Sequence, residues 1–333
     1  MEVQGGGELE NASKHEAEAE YHSHDFEWED LKAKVEADPA FSYHLSPFPG
    51  HATTATTSPL PPSSSEAWRS FHRHHASGKF FKERRYLLKE FPELLNSKVC
   101  AKILEVGCGN GSTAVSILRS SESVTVFACD CSKDTLEKAN EIISSTKGID
   151  IKDRFHPFLM DVSKETFPDW LFCKACQSSL GKAAELLLDP SHHKIRKEHL
   201  VFLRENQCCV GGMDFITMIF TLSAIPFDIM PTTIEQCVSV LKPGGLILFR
   251  DYGLYDMTML RFLPHQRVGF REYVRSDGTF SYFFSLDTVR ELVHTAGLIE
   301  LELEYCCINS VNRKNGKKMQ RVWVHGKFQK PTS

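Results

Sequence analysis

The sequence predicts an α/β protein built on a wound, mostly parallel seven-stranded sheet whose final two strands form an antiparallel pair. Three observations predict it. From about residue 100 onward, short apolar runs rich in Val, Ile, Leu and Phe alternate with helical patterns, as crossover connections require. The first run ends in a glycine-dense turn, "ILEVGCGNG", and a later helix ends in "LKPGG" just before the fifth run. Beyond that point the rhythm changes to a hairpin, one helix and two long strands, which adds an antiparallel edge.

Each element has its own reason. Strands are expected at 102–106 (KILEV), 123–129 (SVTVFAC), around 154–160, at "MDFITMIFTL" and at "GLILFR", with helices near 112–120, 133–145 and 231–241. "REYVRSDGTFSYFF" reads as an inserted hairpin turning at Asp277 and Gly278. "LDTVRELVHTAG" has helical periodicity, and the closing strands fall near 299–308 and 320–328. Residues 1–65 read as an acidic, disordered extension and linker, because "GHATTATTSPLPPSSSE" offers no buried periodicity, although "WEDLKAKVEADP" within it is a candidate helix. The folded domain then covers 66–333, starting near Trp68. Its first part, 66–98, mixes aromatics with Arg and Lys and suits a lid or an RNA-facing segment, or equally an amphipathic helix with a solvated basic side.

Composition narrows the function classes. The chain has 333 residues, 41% hydrophobic and 25% charged, enough for a full core. Its net charge of −4 is unevenly spread: residues 1–40 hold twelve acids against three bases, whereas 312–330 hold seven bases and no acid. No signal peptide or membrane span is expected, since the most apolar stretch, 213–230, contains Asp214, Pro226 and Asp228. Eleven cysteines, an odd number, mostly inside elements, fit a reducing compartment, the cytosol first and the nucleus second.

The glycine turn carries the first chemical signal. Gly107, Gly109 and Gly111 follow the strand directly, spaced G-x-G-x-G, so a flat ligand can approach the backbone with no Cβ in the way. A dinucleotide fold would place its third glycine where Ser112 stands. With Glu105 ahead of the glycines, the turn resembles the S-adenosylmethionine loop of Rossmann-like class I methyltransferases. Asp130, about twenty residues on, can accept from ribose hydroxyls. Asp161, at the end of the third strand, can accept from an adenine amino group while the backbone N–H of Val162 reaches a ring nitrogen.

More specific stretches lie outside this core. "WRSFHRHHASGKFFKERRYLLKEFPEL", "DFITMIFTLSAIP", "LKPGGLILFRDYGLYDMTMLRF", "EYVRSDGTFSYFF" and "VNRKNGKKMQRVWVHGKFQKP" resemble the methyltransferase-like family that makes 3-methylcytidine in tRNA. The resemblance implies methyl transfer from S-adenosylmethionine to N3 of an anticodon-loop cytidine, typically position 32 of seryl, threonyl or arginyl tRNAs. Some relatives depend on seryl-tRNA synthetase or another accessory protein. It also implies cofactor contacts at Trp68, His72, Gly107, Asp130, Asp161, Val162 and Ile219. His72 stands where the family has Tyr, Glu83 where it has Asp, and Arg85-Tyr86 where it has His-Trp.

At the end of the fifth strand, Asp251 is expected to hold the cytosine amino group and stabilise the charge that develops on the base. Arg250 orients Asp251 or binds phosphate, and Tyr252 stacks on the extruded base; the alternative makes Arg250 and Asp251 a structural ion pair. RNA contacts are expected at Lys82, Arg84, Arg313, Lys314 and Arg321. Competing readings are a small-molecule methyltransferase and a non-catalytic adaptor for tRNA or a synthetase. One segment, 171–209, falls outside the family pattern and holds Cys173, Cys176, Cys208 and Cys209. C-x-x-C suits zinc, but the adjacent second pair makes an awkward chelate, so buried thiols on a helical excursion, with no metal, are the expectation there.

Overall fold

The computed structural model describes residues 23–48, 64–74, 83–95, 100–146, 148, 151, 153–180, 208–311, 316 and 318–332. Among them, helices α1 (Trp28–Ala37), α2 (Ser42–Leu45), α3 (Ser64–His74) and α4 (Leu87–Glu90) precede the first strand. The wound part follows as β1 (Lys102–Val106), α5 (Ser112–Ser120), β2 (Thr125–Asp130), α6 (Lys133–Ser145), β3 (Phe155–Leu159), α7 (Lys174–Leu180), β4 (Met213–Ile219), α8 (Met230–Val240) and β5 (Leu241–Tyr252). The small strands β6 (Arg267–Gly269), β7 (Glu272–Val274) and β8 (Phe280–Tyr282) come next, then α9 (Leu286–Thr295), β9 (Ile299–Val311) and β10 (Lys318–Gln329). No described helix is long and apolar enough to cross a membrane.

The seven-stranded sheet has the order β3-β2-β1-β4-β5-β10-β9. β1 is parallel to both β2 and β4, and β10 is antiparallel to β5 and β9. The order reverses at β1, so the ends of β1 and β4 diverge and leave a crevice at the carboxyl edge. The expected hairpin forms, joined by β6 into a separate three-stranded sheet. Apolar side chains fill both faces of the sheet at its centre, which explains why β1, β2, β4 and the second half of β5 read as largely apolar runs, whereas the edge strand β9 alternates and is mostly exposed or half-buried.

The extension departs from expectation. Residues 23–48 are folded onto the carboxyl-terminal half: Trp28 stacks on Tyr305 at 4.5 Å and donates from Nε1 to the Leu254 carbonyl at 3.2 Å. Leu31 and Val35 join a core with Tyr255, Phe262, Tyr273 and Phe283. Burying each such side chain stabilises the fold by about 1.5–3 kcal/mol, enough to order a segment whose own periodicity is weak. Ser23 and Asp25 also pair with Cys307 and cover the free edge of β9. Residues 1–22 and 49–63 of the extension lie outside the described residues.

The 66–98 segment divides in two. α3 lies across the carboxyl edge, strapped by Arg69 Nε to the Cys131 carbonyl (2.9 Å) and by Lys164 Nζ to Ser65 Oγ (2.6 Å). The later part is core rather than lid, for Leu87, Phe91 and Leu94 are buried against β1 and α5.

Candidate active site

A cavity of about 630 Å³ opens at the carboxyl edge, between the ends of β1, β2, β3 and β4 on one side and the β7–β8 hairpin on the other. The glycine turn makes its floor. Gly107 has φ +65°, and a Cβ there would come within 2.6 Å of Thr221 Cγ2. That threonine ties the end of β4 to β1 by donating to the Val106 carbonyl at 2.8 Å. Gly109 has φ +53°, and a Cβ there would have only His72 Cε1 near it, at 4.0 Å. The first glycine thus allows close packing, and the second leaves room for a ligand.

Two acids stand at neighbouring strand ends. Asp130 accepts from the backbone N–H of Gly109 (3.0 Å) and of Ser132 (2.9 Å), which fixes both its oxygens at the cavity wall. Burial raises its carboxyl above the ordinary range, opposed by nearby His72 and by these backbone donors. Asp161 accepts from Ser163 N (3.2 Å) and Oγ (2.6 Å) and faces Lys164 Nζ at 3.3 Å. Burial would raise its carboxyl too, but donors on Ser163, Ser65 and Lys164 outweigh it and hold it low. Glu105 does not line the cavity. It accepts from the Ala114 N–H at 3.0 Å, in the first turn of α5, and burial pushes its carboxyl up to about 7.

All eight residues expected at the cofactor line this cavity: Trp68, His72, Gly107, Gly109, Asp130, Asp161, Val162 and Ile219. Trp68 Nε1 is buried with no hydrogen-bond partner, and Asp161, lining the same cavity, is an ionised acceptor. An unmet donor, an acceptor and a glycine floor fit a polar, flat-ringed ligand carrying ribose hydroxyls, which S-adenosylmethionine is.

The strand-five tip is placed differently from expectation. Tyr252 lines the cavity, packed on Phe220 at 5.1 Å, but Arg250 and Asp251 do not. Arg250 is 1% exposed, paired with Glu90 and held between the rings of Tyr86 (5.0 Å) and Trp323 (4.2 Å). Asp251 is 0% exposed and accepts from Ser223 N (2.9 Å) and Tyr252 N (2.8 Å); burial pushes its carboxyl up to about 6 against these donors. The pleat explains this: Asp251 turns to the face opposite Arg250 and Tyr252, and Arg250 sits one pleat too deep. Neither residue is therefore assigned to catalysis. Asp251 shapes the wall indirectly, by holding the turn that carries Ser223.

Of the expected RNA contacts, Arg84 and Arg321 line the cavity, whereas Lys82, Arg313 and Lys314 lie outside the described residues. Arg84 Nη1 donates to Thr113 Oγ1 at 3.3 Å. Arg321 is less a free surface base than expected: its Nε donates to the buried Asp256 at 2.8 Å, and its guanidinium lies over Tyr252 and Trp323. Sequence reasoning missed Asp256, although it closes the same R-D-Y-G-L-Y-D run, and it missed Arg275, Asp277 and Phe280, which bring the hairpin into the cavity. The hairpin's turn was legible; its docking against the 222–227 segment and the end of β5 was not.

A model of a methyltransferase domain matches residues 72–302. The chain is 36% identical over 272 residues to the Drosophila melanogaster tRNA N(3)-methylcytidine methyltransferase Mettl2, covering 79% of this chain and 70% of that one. The human tRNA N(3)-cytidine methyltransferase METTL6 is 32% identical over 79% of each chain. The chain belongs to the tRNA N(3)-cytidine methyltransferase family. Another member of that family, the Schizosaccharomyces pombe tRNA N(3)-methylcytidine methyltransferase trm140, is 34% identical over 79% of this chain and 73% of its own length. Solved structures agree on the fold. An S-adenosylmethionine-dependent methyltransferase from Anabaena variabilis superposes with TM-score 0.52 at 13% identity, covering 83% of this chain and 98% of that one. A Burkholderia thailandensis 1,6-didemethyltoxoflavin-N1-methyltransferase gives 0.50 at 12% identity, covering 86% and 99%. The cavity therefore belongs to a Rossmann-like, S-adenosylmethionine-dependent methyltransferase of this family.

Proposed function

We propose that the protein methylates N3 of a cytidine in tRNA, with S-adenosylmethionine as donor. One observation carries the reading: a single cavity joins a wall made by Trp68, Asp130 and Asp161 to a second wall made by Tyr252, Arg275, Asp277, Phe280 and Arg321. The first wall suits the cofactor, and the second suits a base with its phosphates. When bound, S-adenosylmethionine supplies an electrophilic methyl group.

Neutral cytosine N3 carries a lone pair and no proton, so no side chain has to act as a strong base. The base becomes cationic, and what helps is placement and a fixed negative group nearby. Asp277 takes that role instead of Asp251. Its Oδ1 is held by Thr279 N (3.0 Å) and Oγ1 (2.7 Å) at the mouth, where the remaining oxygen is available to the cytosine amino group. Tyr252 and Phe280 offer aromatic faces to a base turned out of its stack. Arg84 and Arg275 supply positive charge around the mouth for the flanking phosphates, while Arg321 is paired with Asp256 and shapes the wall.

In its finer form the reading places the target at position 32 of the anticodon loop in seryl, threonyl or arginyl tRNAs, with seryl-tRNA synthetase or another protein assisting. The support is the motif resemblance. The cytosol, or the nucleus, suits eleven cysteines that are all free. Incubating the full chain with methyl-labelled S-adenosylmethionine and total tRNA, then separating nucleosides, tests the proposal. Label in 3-methylcytidine supports it. Label in a small molecule without RNA, or cofactor binding with no transfer to tRNA either alone or with seryl-tRNA synthetase and cell extract added, defeats it. Asp277→Asn should slow transfer about 10- to 100-fold with the cofactor Kd unchanged, as expected for losing one hydrogen bond to a charged group.

A further inference from the structure

We propose that Cys173, Cys176, Cys208 and Cys209 form a structural zinc site that clasps the two ends of the 174–209 excursion. The adjacent pair looked awkward for chelation in sequence, yet the four sulfurs all lie within 4.8 Å of one another. Cys208 Sγ is 3.5 Å from Cys173 Sγ and 3.2 Å from Cys176 Sγ. A tetrahedral ion with Zn–S bonds of about 2.3 Å sets its sulfurs roughly 3.8 Å apart, within this spread.

The backbone explains how neighbours converge. The chain bends at Cys208 and Cys209, and Gly211 and Gly212 follow with φ +81° and +80°. The Gly211 N–H donates to Cys209 Sγ at 3.3 Å. Such N–H···S bonds orient thiolates and spread their charge. Both arms are already joined beside the sulfurs, by Val210 N to the Trp170 carbonyl (2.8 Å) and Gly212 N to the Leu171 carbonyl (2.9 Å). Lys102 donates to the Val210 carbonyl, bringing a cation close to a centre that would carry net charge −2. Cys173 and Cys209 are buried and Cys208 is exposed, which leaves a way in for the ion.

Position sets the role. The sulfurs stand just before β4 begins at Met213, at the amino edge of the sheet, whereas the cavity lies beyond its other end at Ile219. Four protein ligands close the coordination shell, as in structural rather than catalytic zinc sites. On binding, each thiol releases its proton to solvent as its Zn–S bond forms, and no electrons move. Zinc is favoured over other ions because a tetrahedral all-thiolate set with no redox partner suits it.

Metal analysis of the full chain, purified without chelator, should find about one zinc per chain. Exchange with cobalt(II) should give the visible and thiolate charge-transfer bands of a tetrahedral S4 site. Cys208→Ser should lower bound metal at least tenfold and reduce Tm, with cofactor Kd at low temperature kept within about twofold. The proposal is overturned by folded, metal-free protein whose thiols react with Ellman's reagent, by a Cys176–Cys208 disulfide in mass spectrometry, or by stoichiometric iron. If Cys208→Ser proves insoluble, the cobalt spectrum of the unsubstituted chain decides, and absence of thiolate charge transfer sinks the site.

Discussion

Arg250 and Glu90 form a buried ion pair beneath the cavity, and separating them distinguishes a structural role from a catalytic one. Both side chains are essentially inaccessible, at 1% and 0% exposure. Glu90→Gln leaves the guanidinium without an anion, still flanked by Tyr86 and Trp323. Breaking a buried pair from one side costs about 3–5 kcal/mol, and the two rings return at most about 2 kcal/mol, a contribution already present in the parent. The loss is therefore a large part of the 5–15 kcal/mol typical of a domain. Arg250→Met should cost somewhat less, because His325 Nδ1 faces the other Glu90 oxygen at 3.1 Å and can neutralise it in part. The double variant Glu90→Leu with Arg250→Met should recover to within about 1–2 kcal/mol of the parent, since it removes both desolvated charges. Urea unfolding followed by tryptophan fluorescence measures the cycle; cofactor titration and tRNA methylation well below Tm measure the site. The cofactor Kd should stay within about twofold, since neither residue lines the cavity. Unchanged urea midpoints for Arg250→Met together with a hundredfold loss of transfer would refute the reasoning, because the guanidinium would then act on substrate.

Four further outcomes follow from the same geometry. Asp130→Asn should raise the cofactor Kd about 10- to 100-fold by calorimetry, the range for losing hydrogen bonds to a charged group, with tRNA affinity nearly unchanged. Gly107→Ala should lower stability by at least 1–3 kcal/mol, since it combines φ +65° with a Cβ pressed on Thr221, and a melting curve identical to the parent would contradict that packing. His325 lies between Glu90 and Glu302, whose carboxylates raise its pKa despite burial. Its contribution is thus full below about pH 6.5 and lost as pH rises through the raised folded value, so His325→Gln should flatten the fall in Tm above neutrality. Binding of tRNA should weaken steeply with salt, and Arg275→Ala should lower the slope of log K against log salt by about one if it neutralises a phosphate.

How much of this was legible beforehand depends on the range of the forces involved. β1, β2 and β4 lay within a few residues of their expected limits, because each ends at a local stop, Gly107, Asp130 and the positive φ of Phe220, whereas β5 begins four residues early at Leu241 and takes in the LKPGG expected as a turn. That the glycine turn and the strand-end acids share one cavity was equally legible: glycines needing positive φ and acids at strand ends are local requirements, and chain order in a parallel sheet brings strand ends to one edge. The folding of 23–48 was not, since α1 has few apolar residues and gains its stability from Tyr305, Leu254 and Phe262, more than two hundred positions away.

The sequence by itself determined that this chain winds a methyltransferase sheet and places Asp130 and Asp161 at neighbouring strand ends on one cavity, because strand periodicity and turn stereochemistry act between near neighbours. Only the tertiary structure decided which polar groups face the cavity. Pleat parity turned Asp251 inward and Glu90 captured Arg250, while the docked hairpin brought Asp277 and Arg275 to the mouth and two glycines folded adjacent cysteines toward a distant C-x-x-C. Contacts of that kind depend on desolvation and packing between remote segments, which no local pattern records.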